Sequence, residues 1–99
     1  MIQEKLERLV AAGIEIVPVS ELSRHLMFGR DGFVALVERR DDGFGNIGAA
    51  GLATEAGFAA LAWRGDQPFF IARGFERAAT PEEVATLRAF ERDLHAALA

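Results

Sequence analysis

The chain has 99 residues, room for one domain of ordinary size and too little for two with separate cores. Hydrophobic residues make up 51% and charged residues 26%, which excludes the disordered and fibrous classes. The net charge of −4 argues against a nucleic-acid partner, since phosphate binding needs an excess of Lys and Arg, and the absence of cysteine removes disulfides, thiolate nucleophiles and zinc fingers together.

No stretch reads as a membrane span. The longest weakly polar run, 43–63, holds five of the ten glycines together with Asn46 and Glu55. Met1-Ile2-Gln3-Glu4-Lys5 carries no basic region followed by an apolar block, so no signal peptide is expected. The expected setting is the cytoplasm, with no membrane partner. Ten of the eleven basic residues are Arg, and Ala is abundant, a bias common in GC-rich bacterial genomes.

Residues 2–12 read as a helix. Ile2, Leu6, Leu9 and Val10 share one face, Gln3, Glu4, Glu7 and Arg8 the opposite one, and Gly13 is placed to end it. Ile14-Glu15-Ile16-Val17 alternates as a short strand that Pro18 confines to an edge or an end. Ser20–Ser23 fits a single helical turn or a loop. From residue 25 turn signals recur about every ten residues: Arg30-Asp31-Gly32, Asp41-Asp42-Gly43, Glu55-Ala56-Gly57 and Gly65-Asp66. Evenly spaced turns between short apolar runs predict an antiparallel meander of about five strands, near 25–29, 33–40, 46–54, 58–64 and 68–74. The chain closes with a helix. Thr80 is its N-cap, Pro81 its first residue, Glu83 completes a capping box, and Val84, Leu87, Phe90, Leu94 and Leu98 form one apolar stripe. The predicted architecture is a single α+β domain, 1–99: helix, meander, helix, with both helices packed on one sheet face.

Gly43-Phe44-Gly45-Asn46-Ile47-Gly48 matches G-x-G-x-x-G, the spacing by which dinucleotide sites bring pyrophosphate onto a helix N-terminus. The context opposes that use. Asp41 and Asp42 would repel phosphate, and the following segment carries Gly48, Gly51 and Gly57, each costing about 1 kcal/mol in a helix. The alternative is a hairpin loop and a strand whose glycines admit another backbone or a helix. Ser20, Ser23, His25 and His95 form no nucleophile-elbow pattern, and two histidines without cysteine give no metal spacing. Asp41-Asp42 lacks the alternating ligands of a calcium loop. Arg30–Leu36 echoes an RNA-recognition strand without its second aromatic. Arg88, Glu91, Arg92 and His95 read as a solvated helix face. No cofactor and no metal are expected, and catalysis is the least favoured reading.

The strand faces carry the most information. Phe33–Val37, Phe58–Trp63 and Phe69–Ala72 are apolar at every position, so both faces of the central sheet are apolar. Two-residue turns would pair Leu52 with Ala59, Leu61 with Phe70 and Trp63 with Pro68. One face would then hold Leu52, Leu61, Trp63 and Phe70. The other would hold Ala49, Gly51, Ala53, Phe58, Ala60, Ala62, Phe69 and Ile71. The small residues of the second set suit close helix packing. That leaves Leu52, Leu61, Trp63 and Phe70 as the expected interface or pocket, the alternative being a curled sheet whose second face the 14–25 segment covers. The expected function is a small non-catalytic interaction module, a homodimer or a subunit of a complex. The alternative is a small-molecule-binding or sensory domain with an apolar pocket.

Overall fold

The computed structural model describes residues 2–17, 25–41, 43–55 and 57–99. In chain order the elements are α1 (Ile2–Ala11), β1 (Glu15–Val17), β2 (His25–Arg30), β3 (Phe33–Arg40), β4 (Gly43–Thr54), β5 (Gly57–Arg64), β6 (Gln67–Ala72), β7 (Phe75–Ala78) and α2 (Pro81–Leu98). All the strands lie in one sheet in chain order, each antiparallel to its neighbours. The α+β class and the helix–meander–helix order agree with the sequence reading. The strand count does not: the sheet has seven strands rather than about five. β1, outside the five strands of the predicted meander, pairs with β2 as an edge strand, the place its sequence allows, and Gly74, at φ 76°, reverses the chain so that Phe75–Ala78 returns along β6 as β7. The expected turn at Ser20–Ser23 lies outside the described residues.

Local chemistry sets the boundaries. Gly13, at φ 74°, ends α1. Its N–H donates to the Val10 carbonyl, and that of Ile14 to the Leu9 carbonyl, while the Leu9 and Ile14 side chains join the same core cluster. Asp31 and Gly32 both take positive φ, as the tight turn joining β2 to β3 requires. At α2 the Thr80 hydroxyl accepts from the Glu83 N–H, and the Glu83 carboxylate accepts from the Thr80 N–H. The same carboxylate takes two hydrogen bonds from Arg77 of β7, at 2.7 and 3.0 Å, so the cap also fixes the helix to the last strand.

The register has the expected pairs Leu52–Ala59, Leu61–Phe70 and Trp63–Pro68, so the two expected sets of β5 and β6 residues do lie on opposite faces. Which face the helices cover is the reverse of expectation. Phe28, Phe33, Ala35, Val37, Ala50, Ala59 and Phe70 belong to one buried cluster with Leu9 of α1 and Leu87, Phe90, Leu94 and Ala97 of α2. Leu52 and Leu61 pack against that cluster, so the bulky face is the covered one and the Ala/Gly-rich face is not. The reason is area: a helix stripe of Leu and Phe buries far more apolar surface against Phe28, Phe33 and Phe70 than against Ala and Gly. Arg30 fastens the arrangement. Its guanidinium donates to Asp93 of α2 at 2.8 Å and to the Ala12 carbonyl at 3.0 Å, and it lies 5.7 Å from the Phe90 ring centre. α1 contributes less than its pattern suggested. Leu9 is buried, whereas Leu6 and Val10 stay exposed.

β4 is irregular. Pairing passes from Ala35–Ala50 to Val37–Ile47 and then to Arg39–Phe44, so at each step two residues of β3 oppose three of β4. Such bulges sharpen sheet twist and curl the open side. Gly51 sits where β4 and β5 come closest: a Cβ there would meet the backbone of Ala59 and Ala60. Replacing Gly51 by Ala should therefore destabilise the fold by about 2 kcal/mol or more, measured by chemical denaturation, because backbone cannot move aside as a side chain can. The cap supplies a second test. Hydrogen bonds from Arg77 and from the Thr80 backbone lower the Glu83 pKa from 4.5 to about 2. A carboxylate held low stabilises the fold above its unfolded pKa, so this contribution fades as pH falls from about 4.5 toward 2. Glu83→Gln should flatten the stability profile in that window and leave it unchanged in shape near neutrality.

Candidate functional site

The four residues singled out by the sequence lie on the helix-covered side. Phe70 is fully buried, its ring 6.0 Å from that of Phe33 and beneath the Arg77 guanidinium. Leu52 and Leu61 are half-buried against the same cluster. Trp63 alone is open, 49% exposed at the rim. There it lines an open groove of about 450 Å³ with Asp66, Gln67, Pro68, Ala79 and Val84, at the start of α2. Phe70 thus serves the core and Trp63 a rim.

The opposite face is a second apolar surface. Strand alternation brings Val17, Met27, Val34, Leu36, Phe58, Ala60, Ala62, Phe69 and Ile71 to it. None of these side chains belongs to the core cluster or packs against it. Met27, Leu36, Phe58, Phe69 and Ile71 are half-buried by their strand neighbours, and Val34 sinks between Gly29 and Gly51, the residues opposite it on β2 and β4. No described element lies over this face.

Two ion pairs bound it. Arg64 pairs with Glu76 on the β5–β7 side, and its guanidinium lies 5.1 Å from the Phe69 ring centre. On the β3 side the Arg40 Nε donates to Glu38 at 2.6 Å, and that bond holds the Glu38 carboxyl below its ordinary range. Gly45 lies under this pair: a Cβ there would strike both side chains. The sequence reading had assigned the β5 and β6 residues of this face but not Met27, Val34 or Leu36. The signal was present in the Asp31-Gly32 turn, which sets β2 against β3 and puts all three on the side of Ala60 and Ile71.

The other candidates do not converge. Gly43–Gly48 opens β4 and not a helix, so the G-x-G-x-x-G spacing presents no helix N-terminus to a phosphate. It is the glycine-bearing strand of the alternative reading, though its glycines lie within the strand rather than in a loop. His25 is exposed at the head of β2, opposite Glu38, and His95 is exposed in the last turn of α2. Ser20 and Ser23 lie outside the described residues. Among the described residues no group of three or more His, Cys, Asp or Glu is placed to hold a metal, and no polar side chain is buried. Arg88, Arg92 and His95 face solvent, but Asp93 between them anchors Arg30, and that hydrogen bond lowers its pKa. No described helix is long and apolar enough to cross a membrane.

No protein-family model, curated protein or solved structure matches the chain.

Truncations separate core from rim. Phe70→Ala should cost about 3–5 kcal/mol in denaturant melts, as for a large buried aromatic. Trp63→Ala should cost under about 1 kcal/mol, since half its surface is already in water. Equal losses at the two positions would contradict the assignment of Trp63 to the rim.

Proposed function

We propose that the chain is a protein-interaction module, acting as a subunit of an assembly, whose docking surface is the apolar sheet face around Met27, Leu36, Phe69 and Ile71. The observation that carries this reading is one-sided coverage: both helices pack on the Phe28–Phe70 face, and no described element covers the other. A contiguous apolar face rimmed by charged residues is the usual form of a protein-binding surface. An apolar centre without positioned acids, bases or nucleophiles has nothing with which to perform catalysis. This reading places the docking surface opposite Leu52, Leu61, Trp63 and Phe70, since Phe70 is fully buried in the core.

Dye binding tests whether the face is open. The native protein should enhance the fluorescence of 8-anilinonaphthalene-1-sulfonate, more per chain as it is diluted out of any assembly. Leu36→Glu and Ile71→Glu should each remove most of that signal while native circular dichroism is kept. Native chain that is monomeric by mass and binds no dye would mean that the chain covers the face itself, and would overturn the reading.

A further inference from the structure

We propose that the face left open by the described elements is closed by a second copy of this chain, packed sheet against sheet about a two-fold axis. The proposal rests on reading that face as a docking surface and names its occupant. Area is the first argument. The chain exposes 6411 Å², whereas a compact monomer of its 10.8 kDa mass exposes about 5,500 Å². The surplus, about 900 Å² over the whole chain, is enough to supply the roughly 800 Å² that each partner contributes to a stable interface of standard size.

Charge is the second argument. In a two-fold interface a patch meets itself, so a rim of one sign repels its own copy. Here Glu38 pairs with Arg40 and Arg64 with Glu76, and Glu15, on the row of Gly29 and Val34, adds an acid at the β1 edge, around an uncharged centre. The rim therefore mixes both signs and presents no single-sign block to a second copy. Relief is the third. Met27, Leu36, Phe69 and Ile71 stand beside Gly51, Ala60 and Ala62, giving projections and hollows that can interdigitate at the roughly 10 Å spacing of packed sheets. The assembly is a four-layer stack of helices, sheet, sheet and helices, with the Trp63 groove on the outside.

Native mass across a dilution series, read beside the dye assay, tests this. The wild-type chain should run at twice its 10.8 kDa mass. Ile71→Glu, at a central contact, should weaken dimerisation by about 30-fold or more while native circular dichroism is kept. Arg64→Glu should loosen the dimer by setting like charges beside Glu76, and Arg64→Glu with Glu76→Arg should restore it. Trp63→Glu, on the opposite face, should leave the dimer intact. A wild-type monomer that binds dye would overturn the second copy as occupant while leaving the face as a docking surface for a different protein. A monomer that binds no dye would overturn both readings. A dimer indifferent to Ile71→Glu would place the contact elsewhere and overturn the proposal.

Discussion

Two helices of 10 and 18 residues have only one apolar stripe each, and a seven-stranded sheet has two faces. That shortage of cover governs the rest of the structure. α2 is about 27 Å long at 1.5 Å per residue, and the six gaps between seven strands, at about 4.8 Å each, span about 29 Å. The helices can close one face at most, and they close the one where burial gains most, around Phe28, Phe33 and Phe70. Everything distinctive about the second face follows. Its central side chains are apolar because Phe33–Val37, Phe58–Trp63 and Phe69–Ala72 are apolar at every position, and among the described residues they are shielded by strand neighbours.

The polar residues reinforce that choice of face. Arg30 reaches from β2 to Asp93 and to the end of α1, and Arg77 reaches from β7 to the Glu83 cap of α2. Both guanidiniums also lie over core aromatic rings, Phe90 and Phe70. Such partly exposed pairs add little stability singly, but they fix where α2 crosses the sheet. On the other face Arg64–Glu76 joins β5 to β7 and Glu38–Arg40 lies within β3, and neither pair reaches a helix. The division of labour is visible in the charges as well as in the core.

Much of the fold was legible in the sequence. The spacing of Asp31-Gly32 and Gly65-Asp66 marked the hairpins, the Thr80–Glu83 box marked α2, and two-residue turns gave the pairing of Leu61 with Phe70. β7 was missed because Arg73-Gly74 read as the end of a strand rather than as a turn into another. The covered face was assigned to the wrong side for a physical reason. Where both faces of a strand are apolar, period-two alternation says which residues are together but not which set is buried. Small residues were taken as a seat for a helix, when Gly51 in fact admits the neighbouring strand's backbone. The deciding signal was fainter: Arg30 and Arg77 share a face with Phe28 and Phe70, and α2 carries acids in position to meet them.

The central claim is that neighbouring residues of one strand, Phe69 and Phe70, face different environments. Hydroxyl-radical footprinting of the chain, diluted until its mass is that of a monomer, tests it most directly. Phe69 should be oxidised many times faster than Phe70, whose ring has no exposed surface. Equal protection of both rings, or faster oxidation of Phe70, would contradict the one-sided cover on which the account depends.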